Sequence, residues 1–193
     1  MTKVLVVYAS RHGATREIAQ RIGDVLRTEG LEVDIAPADH ASGVGAADAV
    51  VVGSAVYMGS WLKDAVEFVK RNEFRLAELP LWFFSSGPLP HASEKADASA
   101  DAMEEALGPK DGPGSGGRRK VIEITEATNP EDHRIFLGAF DPDDPPKVTS
   151  ERLVRLLPAV KNALPAGDFR DWDAIDAWAH EIAATLASPV ASS

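Results

Sequence analysis

Four short and nearly unbroken apolar runs recur along the chain: Val4 to Tyr8, Ala49 to Ala55, Leu81 to Ser85 and Ile135 to Phe140. A strand with one wet face alternates apolar with polar residues. A run without alternation is covered on both faces, as happens when helical crossovers join parallel strands. The intervening segments supply such helices. Ile18, Ile22, Val25 and Leu26 fall on one helical face, with Gly30 as a natural stop. Leu62, Val66 and Val69 repeat that spacing, as do Trp172, Ile175, Ala179, Ile182 and Leu186. Glu32-Val33-Asp34-Ile35 alternates instead, which suits a strand near a sheet edge. The rhythm predicts an α/β chain with a parallel sheet and helices on both faces.

A length of 193 residues fits one domain spanning residues 1–193. Two stretches interrupt the rhythm. Residues 91–119, containing "GPKDGPGSGG", are expected to form a flexible insertion with one short helix around 101–107. Residues 141–148, "DPDDPPKV", read as a proline-stiffened acidic turn before a helix at 150–157, and residues 188–193 as a disordered tail. The absence of cysteine excludes disulfides, thiolate metal sites, iron–sulfur clusters and cysteine nucleophiles, and no metal site is expected. With no run long enough to span a membrane, and with Met1 to Lys3 leading straight into a strand, a cytoplasmic location is expected. The formal net charge of −10, from 30 carboxylates against 20 Lys and Arg, disfavours nucleic acid and anionic membranes as partners. Residues 121–146 hold seven of those carboxylates and only Arg134 as a fixed cation, which serves either solubility or steering toward a basic partner.

In an open parallel sheet, ligands sit beyond the C-terminal strand ends where strand order reverses, and the first strand normally flanks that point. The turn after Tyr8 reads Ser10-Arg11-His12-Gly13-Ala14-Thr15 and runs into the first helix. Backbone N–H groups and the helix dipole favour an anion there, Gly13 lets the backbone approach it, and Ser10 and Thr15 can donate hydroxyl hydrogen bonds. A Walker A loop needs a lysine after its glycines, the dinucleotide fingerprint needs three glycines, and a receiver domain needs carboxylates at the strand ends. None is present. A single phosphate monoester remains, beside the plainer alternative that Ser and Thr merely cap an ordinary helix.

The other strand ends carry further signals. "GSAVYMGSWLKDA" puts Tyr57, Met58 and Trp61 in a glycine-bearing loop, and "FFSSGPLP" offers Ser85, Ser86 and Gly87. A flat aromatic ring with polar edges needs a stacking surface plus backbone donors and acceptors, and flavin mononucleotide (FMN) meets both descriptions.

The order of β1, Ser-x-x-Gly-x-Thr and a helix, followed by "VVVGSAVYMGSW" and "WFFSSGP", resembles the flavodoxin superfamily. "GDFRDWDAIDAWAHEIA" and the "GSAVYMGSW" loop resemble more narrowly the branch that includes menaquinone-dependent protoporphyrinogen dehydrogenase. The resemblance implies a flavodoxin-like three-layer sandwich whose five-stranded parallel sheet has the order 2-1-3-4-5, with FMN at the reversal between the first and third strands. It implies that Ser10, Arg11, His12, Gly13, Ala14 and Thr15 surround the phosphate. Ser54, Ala55, Val56, Tyr57, Met58 and Gly59 would run along the isoalloxazine ring. Ser85, Ser86 and Gly87 would touch its polar edge and the ribityl chain. Tyr57 and Trp61 are stacking candidates, with packing as the other role open to Trp61. His12 contacts phosphate or is simply solvated. His91 and Lys95 could serve a proton or a substrate carboxylate, or belong to a loop without function.

The implied function is an FMN-binding oxidoreductase, quinone-linked. The alternatives are a flavodoxin-type electron carrier that docks on a basic redox partner, and an interaction module that has lost its cofactor. The acidic "DPDDPPKVTSERL" departs from the basic, aromatic segment of the porphyrinogen enzymes and would repel a porphyrinogen's propionates.

Overall fold

In a computed structural model, residues 1–57, 59–87, 115–140 and 167–188 are described, except for the side chains of 115–118 and Phe140. The expected helices at 101–107 and 150–157, the acidic turn at 141–148, the tail beyond Ser188, and Met58, His91 and Lys95 lie outside the described residues.

The elements are β1 (Lys3–Ala9), α1 (Ala14–Thr28), β2 (Glu32–Pro37), β3 (Ala49–Tyr57), β4 (Ser60–Trp61), α2 (Lys63–Arg71), α3 (Glu73–Leu76), β5 (Leu81–Ser86), α4 (Ser115–Thr128), β6 (Asp132–Phe136), β7 (Ala139–Phe140), β8 (Gly167–Asp168) and α5 (Trp172–Ala187). Five strands pair in parallel in the order β2-β1-β3-β5-β6. With the two-residue β4 left out of the count, this is the expected 2-1-3-4-5 order. β4 folds back antiparallel on β3, pairing Val56 with Trp61 and Tyr57 with Ser60. β7 and β8 form a separate antiparallel ribbon.

The apolar runs are buried on both faces because successive side chains of a strand point to opposite sides. Leu5, Val7, Val50, Val52 and Phe83 pack with α2, α3 and α4 on one face. Val4, Val6, Val51, Trp82 and Phe84 pack with α1 and α5 on the other. The three helical stripes read from the sequence form these two cores, with Trp172 and Leu186 at the margin of the second. Gly30, at φ +83°, ends α1, and the Leu31 N–H reaches back to the Leu26 carbonyl as a left-handed glycine cap allows. Arg21 and Asp176 tie α1 to α5 by a two-point ion pair. In β3, Gly53 leaves room for the Phe84 ring, which lies against it where any side chain at 53 would stand.

Two expectations are corrected. The last sheet strand is Asp132–Phe136, not 135–140. Its polar start is tolerated because the Asp132 carboxylate accepts hydrogen bonds from Trp178 Nε1 at 2.9 Å and Arg134 Nε at 2.7 Å. Residues 139–140 leave the sheet to pair with 167–168. The expected flexible insertion also ends too late, since 115–119 already belong to α4. Gly116 and Gly117 disfavour a helix by about 1 kcal/mol each. Burial of Val121, Ile124 and Thr128 along one face offsets that cost.

Candidate functional site

The turn after β1 is built from backbone. Gly13 stands at the N-cap of α1 with φ +96°, a left-handed conformation costly to any residue with a Cβ. Ser10 Oγ accepts from the Gly13 N–H at 3.1 Å and closes the turn. The Gly13 carbonyl accepts the first helical hydrogen bond, from the Glu17 N–H at 3.0 Å. No side chain caps α1, so the reading of Ser and Thr as simple caps is set aside. The N–H groups of the first turn, which have no partner inside a helix, remain for an external acceptor. The one carboxylate of that turn, Glu17, is tied to Arg170 Nη1 at 2.6 Å. The hydrogen bond from Arg170 in turn holds Asp168 below the usual carboxylate range.

The β3–β4 hairpin is built from buried side chains. Gly59, at φ +72°, makes its turn. Ser54 is fully buried: its Oγ accepts from the Leu62 N–H at 2.9 Å and donates to the Ala55 carbonyl at 2.9 Å. Trp61 is buried too, its Nε1–H donating to Ser85 Oγ at 2.8 Å. Ser85 Oγ also lies 2.9 Å from His133 Nε2. The rings of Trp61, Phe83 and His133 meet edge to face, with centroids 5.1 to 5.7 Å apart. Burial pushes the His133 imidazole down to about 4, against the opposing pull of the Asp132 charge. Its Nδ1 is the buried side-chain polar atom left without a hydrogen-bond partner among the described residues.

Turn, hairpin and the end of β5 enclose one groove at the reversal of strand order, holding about 310 Å³ counted out to open solvent. Ser10, Arg11, His12, Ala14 and Thr15 form one wall. Ala55, Val56 and Tyr57 form the second, and Ser86 and Gly87 the third. Arg11 Cζ stands 4.5 Å from the centre of the Tyr57 ring, and the His12 ring is 6.5 Å from it. His12 is therefore a groove residue, not merely a solvated one.

The other expected residues stand elsewhere. Gly13 and Gly59 shape the backbone without lining the groove, whereas Ser54, Ser85 and Trp61 belong to the buried network beneath the hairpin. Sequence reasoning missed Gly138 and Ala139, which complete the lining. Gly138 packs against Gly87, where an added Cβ would lie 3.4 Å from the Gly87 Cα. One on Gly87 would lie 3.1 Å from the Val56 carbonyl oxygen. The available signal was a glycine just past a strand end: Gly138 stands two residues after β6, as Gly87 stands one after β5.

This lining fits a flavin phosphate in kind: hydroxyls, a helix N-terminus and the Arg11 guanidinium on one wall, an aromatic face and close backbone on the others. Among the described residues no helix is long and apolar enough to cross a membrane, and no group of His, Asp and Glu could hold a metal ion.

Protoporphyrinogen IX dehydrogenase [quinone] of Escherichia coli K12 is 30% identical over 95 residues, which are 48% of this chain and 52% of that protein. The chain thus spans about half the length of the curated relatives it matches. Oxidised flavodoxin 2 from Bacillus cereus superposes with a TM-score of 0.57 at 18% identity, over 95% of this chain and 99% of that one. A cysteine-to-serine mutant of the flavodoxin from Pseudomonas aeruginosa gives 0.53 at 16%, over 97% and 100%. Rubredoxin oxygen:oxidoreductase from Desulfovibrio gigas gives 0.58 at 14%, over all of this chain and 38% of that one. These superpositions show a shared fold. The family model of the flavodoxin domain matches residues 5–113, more than half of the 193, and this chain belongs to that family.

Proposed function

We propose that the groove binds FMN and that the protein is a cytoplasmic FMN-dependent oxidoreductase, passing electrons from a small reduced substrate to a quinone-type acceptor. The observation that carries this reading is the convergence of the turn Ser10–Thr15, Tyr57 and Ser86–Gly87 on one groove. Ser10 and Thr15 hydroxyls and the first-turn N–H groups of α1 would hold the phosphate, with Arg11 and His12 beside it. Ala55 to Tyr57, Ser86 and Gly87 would run along the ring and exclude water from it. The bound flavin supplies the electron chemistry, and the residues of the groove position it and set its surroundings. The quinone-linked step is supported by the printed activity of the Escherichia coli relative. Its porphyrinogen substrate is not carried over, because the match covers only 52% of that relative.

Titration with FMN tests the reading. One flavin per chain, seen as flavin absorbance that stays with the protein through gel filtration, is the expected result. Its absence at saturating FMN overturns it.

The net charge of −10 favours a second reading, an electron carrier that docks on basic redox partners. The two differ in salt dependence. Oxidation of the reduced protein by a soluble neutral quinone should saturate and ignore ionic strength, whereas transfer to a basic cytochrome should slow steeply as salt rises.

A further inference from the structure

The start of α1 offers a carboxylate as well as open N–H groups. Glu17 is the fourth residue of the helix, and a helical side chain leans back toward the N-terminus. Its Oε1 accordingly lies 3.7 Å from where a Cβ on Gly13 would stand. A carboxylate in that place opposes an anion site in two ways. The positive end of the helix attracts it, so that it can itself accept from first-turn N–H groups, and its charge repels an arriving phosphate.

The other oxygen of Glu17 is held from far along the chain. Arg170 Nη1 donates to Glu17 Oε2 at 2.6 Å, across a separation of 153 residues. The guanidinium does not need that contact for its own neutrality, because Asp168 already accepts from its Nε at 2.7 Å and from its Nη2 at 2.6 Å. The Arg170 side chain is only 9% exposed, and its Cζ lies 4.5 Å from the centre of the Trp172 ring. A planar cation packed in this way keeps its fork in one orientation, as a lysine would not. The residue before it supports the groove as well. The Phe169 N–H donates to the carbonyl of Gly138, a lining residue, at 3.1 Å. The segment 168–172 thus reaches the groove twice, through its lining at Gly138 and through the charge beside its turn.

We propose that Arg170 is a positioning residue of the phosphate site, clamping the Glu17 carboxylate so that the first-turn N–H groups of α1 stay open to the flavin phosphate. The inference rests on the flavin reading and deepens it. Arg170 does not line the groove, so its effect on the ligand passes through Glu17.

Fluorescence titration of the full chain with FMN and with riboflavin tests it, in the native protein, Arg170→Met, Glu17→Gln and the double variant. Methionine keeps an unbranched stem against Trp172 and removes the charge. Arg170→Met should weaken FMN about tenfold or more, while riboflavin, which lacks the phosphate, stays within about twofold. Glu17→Gln alone should bind FMN at least as tightly as the native protein. Added to Arg170→Met, it should restore FMN affinity to within about threefold of native, because an uncharged side chain at 17 needs no clamp. A purely structural arginine would show no such rescue. Equal loss of FMN and riboflavin in Arg170→Met, through misfolding or a displaced wall, overturns the proposal and leaves FMN binding standing. So does undiminished FMN binding in that variant, weaker FMN binding in Glu17→Gln alone, or a loss that Glu17→Gln does not repair. Failure of FMN to bind the native protein overturns the flavin reading itself, and this proposal with it.

Discussion

The two loops that face each other across the groove are made in opposite ways. The turn after β1 has a left-handed glycine, one hydroxyl contact of 3.1 Å and a helix end that no side chain caps. The β3–β4 hairpin rests on Ser54, Trp61, Ser85 and His133, polar groups hydrogen-bonded to one another or to nearby backbone in the core. A donor already satisfied inside the protein has little to offer a ligand, and one left open contributes little to the fold. On the proposed reading the first loop binds, whereas the second stays in place. Residues of the same type, Ser10 and Ser54, do different work.

This contrast breaks most visibly in ligand binding. Each hydroxyl bond to a charged phosphate should contribute about 1.5 to 3 kcal/mol. Ser10→Ala combined with Thr15→Ala should therefore weaken FMN roughly a hundredfold to ten-thousandfold, read by fluorescence titration. Riboflavin, which lacks the phosphate, should bind the double variant as it binds the native protein. Equal loss of both ligands, or of neither, would return the turn to a purely structural role.

The hairpin should respond in stability instead. Removing the buried indole with Trp61→Ala should cost about 3 to 5 kcal/mol in urea unfolding, whereas Ser10→Ala, which deletes one neutral hydrogen bond, should cost about 0.5 to 1.5. Comparable losses from the two substitutions would erase the distinction.

A third test uses pH. The His133 imidazole titrates near 4 when folded and near 6.5 when unfolded, so the unfolded chain takes up a proton first as pH falls. Stability is full above about pH 6.5 and declines by about 3 kcal/mol on the way to pH 4. Burial alone would raise the Asp132 carboxyl, but hydrogen bonds from Arg134 and Trp178 outweigh it and hold it below its ordinary value. Its contribution is therefore lost at lower pH, beyond this window. The His133→Gln variant should show a flat profile between pH 6.5 and 4. A slope unchanged from the native protein would remove His133 as its source.

A further test, smaller than that of Trp61 or His133, is Gly13→Ala. A Cβ there meets no backbone, the nearest atom being Arg16 Nη2 at 3.4 Å, so the cost is that of the left-handed conformation, about 1 to 2 kcal/mol. Circular dichroism melts should detect it as a modest drop in midpoint, and no drop would mean that the turn relaxes freely.

How far the sequence disclosed all this depends on which physical signal was in play. Burial on two faces leaves a period-free apolar run, so β1, β3 and β5 were legible, and so was the sheet order once the resemblance was added. β6 was misplaced because its first residues are polar, and their partners, Trp178 and Ser85, lie 46 and 48 residues away. No local pattern records such a pairing. The first turn of α4 was read as loop because glycine counts locally, whereas the burial of Val121 and Ile124 does not. In the site, the turn and the hairpin were found by their position at strand ends. Ser85 and Ser86 were placed together on the ring, yet neighbouring residues of a strand face opposite ways. Only Ser86 reaches the groove, and strand parity alone would have separated them.

The ring of Phe84 lying against Gly53 also has a consequence on the timescale of descent. The two positions belong to neighbouring strands and fill one volume between them, so neither can change freely alone. A lineage that acquires even alanine at 53 must first, or at once, exchange its phenylalanine at 84 for something shorter, and one that loses the ring gains a cavity that a side chain at 53 could fill. Among relatives that keep this sheet, glycine at the first position and a ring at the second should be inherited as a pair.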